Sequence, residues 1–353
     1  MKKIINILKK KPIPLDQFIN LSLYGKKFGY YMKKNPFGKK GDFITSPLVS
    51  RLFSEMIAIW CVSFWEHLGK PKKIFLVELG PGDASLCNDL MDTFKNFKNF
   101  YNSLEMKLLE KSTKLKKIQR LKIKNKKVKW IKNINQLKSG PIIFLGNEFF
   151  DSLPIKQIYI KKKEVYEKYV AINKSNKKIK FIYKKAKKNL INDVENLGLT
   201  SNNIFFEYPV ESIKYLNLLA KIIKKYNGGL LTFDYGYTRK KNFDSLQSVK
   251  KHKYLDVLSN PSNADITSHI NFSLFSTILK NSNLDVKKIV TQNEFLKKLG
   301  IIERANMLAR SKSFNEKADI FYRLKKLLDY KEMGYLFKVL FAQKKNKKFF
   351  LGF

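Results

Sequence analysis

The sequence predicts an α/β fold: a doubly wound, mostly parallel sheet with an antiparallel last strand, a helical N-terminal cap and an inserted β-hairpin. Three observations carry this expectation. Apolar runs at Ile74–Leu79, Ile142–Leu145 and Leu230–Phe233 are short and unalternated, as strands covered on both faces are. Segments of helical period separate them. The first run, Phe75-Leu76-Val77-Glu78-Leu79-Gly80-Pro81-Gly82-Asp83-Ala84, ends in a glycine turn carrying an acid, and a helix follows. Open α/β sheets hold nucleotide-like ligands at such a strand end.

Residues 1–70 read as the helical cap. It is broken by a glycine- and proline-bearing loop from Gly25 to Pro47, after which Leu48, Leu52, Phe53, Met56, Ile57 and Trp60 share a helical face. Residues 71–154 read as the first half of the core, with helices near Ser85–Phe94 and Leu115–Leu121 and strands at Met106–Leu109 and Val128–Ile131. After Pro154 the pattern changes. Ile158–Val170 and Ile179–Tyr183 alternate apolar and charged residues around Asn173-Lys174-Ser175-Asn176, which reads as an antiparallel hairpin inserted over 155–204. The second half, 205–353, begins with a helix at Val210–Tyr226 that stops at Gly228-Gly229. A further helix is expected at Ile266–Leu279. Val286–Val290 and Lys348–Phe353 are expected to pair as the last strands.

The chain of 353 residues is long enough for a large core, and 44% hydrophobic content excludes a disordered chain. No apolar run approaches the roughly 20 residues of a membrane span. Met1-Lys2-Lys3-Ile4-Ile5-Asn6-Ile7-Leu8 resembles neither a signal nor a transit peptide, so a bacterial cytoplasmic location is expected. Cys61 and Cys87 are too few for a disulfide framework, and His67 and His252 have no metal-ligand spacing, so no metal is expected. The net charge of +42 invites a nucleic-acid partner. Against it, the basic residues are nearly all lysines spread along the chain, with few of the arginines that grip phosphate bidentately. Nothing in the sequence sets an oligomeric state.

The glycine turn places Gly80 and Gly82 where a backbone must approach a ligand closely. Ser85 stands where a dinucleotide fingerprint has its third glycine. S-adenosylmethionine has no pyrophosphate to seat, so two glycines suffice, and the turn favours a methyltransferase over a dehydrogenase. Glu78 lies beside the turn. Glu110 ends the next strand, where a carboxylate can accept both ribose hydroxyls. Asn147, Glu148 and Asp151 follow the strand opposite; set among Phe149 and Phe150, such acids want a cationic or donor partner. Each acid is also a candidate helix cap. Asp234 ends a fourth strand as an exposed-looking acid. His269 is a possible acid or base, although a lone histidine is more often packed.

Gly41-Asp42-Phe43-Ile44-Thr45-Ser46-Pro47, Glu78-Leu79-Gly80-Pro81-Gly82 and Asn147-Glu148-Phe149-Phe150-Asp151-Ser152-Leu153-Pro154 resemble the MidA-like methyltransferases, relatives of the mitochondrial complex I assembly methyltransferase. The resemblance continues through Asp234-Tyr235-Gly236, Ala264-Asp265-Ile266-Thr267-Ser268-His269 and Gly334-Tyr335-Leu336-Phe337-Lys338-Val339, so it spans about residues 14 to 340. It implies a class I methyltransferase (Rossmann-like) fold and S-adenosyl-L-methionine as methyl donor. In the mitochondrial member it implies methylation of an arginine on a respiratory complex I subunit, so a protein substrate, such a subunit or a similar partner, is expected here. On that reading Asp42, Thr45, Glu78, Gly80, Gly82, Glu110 and Asn147 hold the cofactor, and Glu148, Asp151 and Asn147 handle the acceptor. Asp83-Ala84-Ser85 departs from the family's Arg-Gly-Thr, placing a negative charge near the cofactor's carboxylate, and Pro261-Ser262 departs from its Pro-Gly. The alternatives are an RNA methyltransferase and a non-catalytic assembly factor that retains the fold; a nicotinamide enzyme is disfavoured by Ser85.

Overall fold

The computed structural model describes residues 2–38, 41–43, 45–173, 175–198, 204–239, 243–345 and 349–353. The chain divides into two compact units. One comprises residues 35–151, 215–238 and 270–353, and the other residues 1–34, 152–214 and 239–269.

The larger unit is built on a sheet with strands β1 (Ile74–Leu79), β2 (Leu104–Leu109), β3 (Val128–Ile131), β4 (Ile142–Asn147), β5 (Gly228–Tyr237), β6 (Leu284–Val286) and β7 (Phe337–Lys344), in spatial order β6-β7-β5-β4-β1-β2-β3. The first five run parallel, and β7 enters antiparallel to both β5 and β6. All six residues of β1 are buried, which explains its unbroken apolar run. The helix Arg51–His67 is capped by Ser50, whose hydroxyl accepts the Leu52 N–H. It buries Leu52, Phe53, Met56, Ile57 and Trp60, five of the six residues expected to share its face, together with Phe64; Leu48 belongs instead to the separate short helix Ser46–Val49. The helices Ser85–Phe94 and Thr113–Lys122 return the chain between parallel strands. Strand order reverses between β1 and β4, which opens a crevice at their C-terminal ends.

Two expectations for this half are corrected. The last strand is Phe337–Lys344, not Lys348–Phe353; it pairs with β5 from Gly229↔Gln343 to Tyr235↔Phe337. Residues 346–348 lie outside the described set. The final residues 349–353 instead fold back on the core: Trp60 Nε1 donates to the Leu351 carbonyl, and Phe349 packs on Trp60 and Phe64. Gly352 sits at φ +86°, outside the extended region, and a Cβ there would meet the Phe295 ring at 2.5 Å. Val286–Val290 likewise resolves into β6 and a two-residue strand, Val290–Thr291, both on β7. Second, Ile266–Leu279 is not one helix. Ile270–Asn271 adds to the end of β5, and the Asn271 side chain then caps a helix, Phe272–Asn281.

The smaller unit contains the insert. The run 158–170 is itself a hairpin, with strands Lys156–Lys161 and Glu164–Ile172 joined at Lys162-Lys163. Both lysines have positive φ, a turn without the usual Gly or Asn signature. Ile179–Lys185, Ile204–Tyr208 and the dipeptide Ile13–Pro14 complete an antiparallel sheet, so the expected hairpin is part of a larger structure. Lys174, expected at the centre of the hairpin, lies outside the described residues. The helix Lys188–Asn196 covers this sheet through Leu190 and Val194, which pack with Ile158, Ile160, Val165 and Tyr208. A second small sheet is made of Gln247–Lys250, Lys253–Leu255 and Asp265–Thr267. No helix among the described residues is long and apolar enough to cross a membrane.

Candidate active site

The register of the parallel strands decides which residues meet at the crevice of the larger unit. Leu79 is level with Leu109 on one side and Gly146 on the other, and Asn147 is level with Phe233. Gly80, Glu110 and Asn147-Glu148 therefore stand together at the ends of three adjacent strands, beside Asp234, which lies within β5 rather than at its end. Glu78, one residue inside the edge, is buried in β1.

The glycine turn is closed by the Gly80 N–H donating to the Leu109 carbonyl at 3.0 Å. Gly80 and Gly82 have φ of +65° and +53°, which side chains rarely adopt. Space reinforces the requirement. A Cβ on Gly80 would stand 2.9 Å from the Phe149 ring, and one on Gly82 3.0 Å from the Phe37 ring. Phe149 thus lies on the turn and also packs against Tyr215, whereas Phe150 turns inward onto Phe275. Asp83 is absorbed locally: its carboxylate accepts the Ser85 N–H and hydroxyl and pairs with Lys122 at 2.5 Å. The charge that departs from the family pattern is thereby paired with a lysine.

Glu110 is held by a residue the sequence reading did not single out. Its Oε1 accepts the Ser112 N–H at 2.6 Å, and its Oε2 accepts Gln119 Nε2 at 3.1 Å. Gln119 also donates to the Gly82 carbonyl and accepts from Trp130 Nε1, so one buried amide joins the glycine turn, Glu110 and β3. The available signal was its place four residues after Leu115, on the inner face of a lysine-rich helix. Burial pushes the Glu110 carboxyl up to about 7 against these hydrogen bonds. Glu78 is pushed up to about 8, first by burial and then by the charges of Asp83 and Glu110. Its Oε2 is buried and has no hydrogen-bond partner among the described residues. An acceptor oxygen without a donor, a second buried carboxylate and a side-chain-free turn suit a ligand with hydroxyls and positive charge.

On the other side of β1 the loop after β4 is strained and tightly bonded. Glu148 has φ +50°, a left-handed conformation for a non-glycine residue. Its N–H donates to the Phe233 carbonyl, and its Oε1 accepts Asn147 Nδ2 at 3.2 Å and the Ser46 N–H at 3.4 Å. Asn147 Oδ1 is buried without a hydrogen-bond partner among the described residues. Asp234, expected to be exposed, is fully buried. The reason is its load: Oδ2 accepts the N–H groups of Phe150 and Asp151, and Oδ1 accepts that of Tyr235. Burial, then the charges of Asp151 and Glu148, drives the Asp234 carboxyl well above the usual range. The Tyr235 hydroxyl lies 2.5 Å from Asp151 Oδ2.

The Gly41–Pro47 segment reaches the same place. Phe37 covers Gly82 and bridges to Phe43, while Ser46 meets Glu148. Asp42 is buried with its N–H on the Pro36 carbonyl. The Thr45 carbonyl accepts from Leu48 and Val49 to start the short helix Ser46–Val49. Ile44 lies outside the described residues. His269 belongs to the other unit; its N–H donates to Ser245 Oγ and its ring packs edge-on against Phe243, the packed role.

Comparison with known proteins agrees with this geometry. Residues 56–290 match the family described as "Putative S-adenosyl-L-methionine-dependent methyltransferase". The chain is 30% identical over 369 residues to the Xenopus tropicalis "Protein arginine methyltransferase NDUFAF7, mitochondrial", covering 95% of this chain and 83% of that protein. It is 28% identical over 322 residues to the human protein of the same name, covering 84% and 72%. The fold is that of a Burkholderia thailandensis protein described as a "likely methyl transferase" and solved bound to S-adenosyl-homocysteine, with a TM-score of 0.85, 19% identity and coverage of 100% and 93%. The strand order, the glycine turn with its two buried carboxylates and these likenesses together establish that the chain belongs to the S-adenosyl-L-methionine-dependent methyltransferase family, with the class I methyltransferase fold.

Proposed function

We propose that this methyltransferase transfers the methyl group to an arginine of a protein partner, a respiratory complex I-type subunit. The observation that carries the acceptor class is the carboxylate group after β4 and beside it in β5. Asp234 accepts the N–H groups of Phe150 and Asp151, and Glu148 accepts that of Ser46, which gathers the three acids at one place, where a nearby cation favours their ionised forms. A guanidinium offers that charge and a planar fork of donors matched to carboxylates. The name shared by the frog and human relatives supports the same reading.

The residues divide the work. Glu110 accepts the ribose hydroxyls, the Gly80–Gly82 turn admits the methionine portion, and Glu78 faces its positive charge. S-adenosylmethionine supplies a methyl group on a sulfonium, which leaves as a neutral thioether. A guanidinium has a pKa above about 12 and must lose a proton as its nitrogen gains the methyl. Glu148 and Asp151 grip and orient the guanidinium, and a carboxylate oxygen receives that proton and returns it to water. Transfer of radiolabel to a purified complex I-type subunit, followed by hydrolysis, tests this: methylarginine is expected. Label on lysine or on RNA, or none on any acceptor, overturns it.

Cofactor affinity should depend on pH. Glu78 and Glu110 hold protons up to about 8 and about 7 in the free protein, and a cationic ligand favours their ionised forms. Binding therefore releases protons, and affinity rises with pH from 6 to 8 by up to about tenfold per unit for each proton released. Calorimetry in buffers of different ionisation enthalpy measures that release directly; Glu78→Gln should reduce it.

A further inference from the structure

The loop that carries Asp151 is fixed at both ends, by Glu148 N–H on the Phe233 carbonyl and by Asp234 on the N–H groups of Phe150 and Asp151. These bonds set where the Asp151 backbone lies. They do not set where its carboxylate points. Tyr235 bears on that directly: its hydroxyl lies 2.5 Å from Asp151 Oδ2 and its ring is held edge-on against Phe337, centroids 5.6 Å apart. A phenol donating to a carboxylate at this distance favours the ionised acid. The groups near Asp151 among the described residues include Asp234 and Tyr235 from β5; Glu148 acts on Asp234, Lys338 lies opposite Asp234 across the β5–β7 register, and Tyr215 packs on Phe149.

We propose that Tyr235 is a positioning residue for methyl transfer: its phenol aims the Asp151 carboxylate at the acceptor. The proposal rests on the reading of Asp151 as an acceptor-binding acid. Tyr235 need not touch either substrate; it acts through Asp151, with Asp234 holding the loop in register.

The test compares wild type with Tyr235→Phe, which keeps the ring against Phe337, and with 3-fluorotyrosine at position 235, a stronger hydrogen-bond donor. Transfer of radiolabel to the subunit is followed across pH, and the labelled residue type is identified in the wild type. For Tyr235→Phe, kcat should fall about 10- to 100-fold with little change in S-adenosylmethionine affinity. The acid limb of the pH profile should move up by about one unit, because Asp151 loses a bond to its charged form. The fluorinated protein should move the limb down. A carbon-13 titration of Asp151, assigned with Asp151→Asn, should shift in the same directions. An unshifted limb and titration overturn the proposal, even where kcat falls, because a merely structural tyrosine lowers kcat without moving them. If wild-type label lands on a residue other than arginine, the acceptor reading fails, while the limb and titration still decide the role of Tyr235.

Discussion

Glu148→Gln should lower methyl transfer by about 10²- to 10⁴-fold while S-adenosylmethionine affinity stays within about twofold. The amide is nearly isosteric and still offers an oxygen to Ser46 N–H, so the loop is kept. What is lost is the charge that grips a guanidinium and the base that takes its proton. Glu148→Gly gives the complementary result. Because residue 148 sits at φ +50°, glycine relieves a left-handed strain of about 1–2 kcal/mol, so stability to denaturant should hold or rise while transfer is lost. Strain kept at a residue whose removal abolishes activity marks that residue as functional. Transfer at the wild-type rate in Glu148→Gln would remove it from the acceptor site.

Gly80→Val should abolish cofactor binding. A β-branched residue at φ +65° is strongly disfavoured, and its Cβ would stand 2.9 Å from the Phe149 ring, so the turn must rearrange. Glu110→Ala reaches the same crevice without backbone strain. It should weaken binding about 10- to 100-fold, as expected for hydrogen bonds to a charged acceptor. Calorimetric titration of each variant, with thermal unfolding to confirm the fold, separates ligand loss from misfolding. Full affinity in Glu110→Ala would mean that Glu110 only braces Gln119 and the turn.

The strands that seat these residues were legible because their code is local. β1 and β3 and the helices Ser85–Phe94 and Val210–Tyr226 lie where periodicity and glycine stops place them. Glu78, Glu110 and Glu148 were legible for the same reason: a parallel strand delivers the residues that follow it to one edge. The misplacements were non-local. Phe337–Lys344 and Phe349–Phe353 are both aromatic-rich, and only the space beside β5 and the positive φ of Gly352 decide which becomes the strand. The hairpin at Lys162-Lys163 has no turn residue to announce it.

Sequence by itself determined the parallel core, the glycine turn and the order of the acids, because short-range period and backbone conformation specify them. Tertiary structure decided what each acid does. Asp83 is spent on Ser85 and Lys122, Glu110 is braced by Gln119, and Asp234 serves the loop while Tyr235 aims Asp151. Apart from Ser85, those partners lie 9 residues away for Gln119 with Glu110 and 84 for Tyr235 with Asp151, and the roles depend on burial as well. A carboxylate's chemistry follows the donors, charges and water around it, and a linear pattern does not hold them.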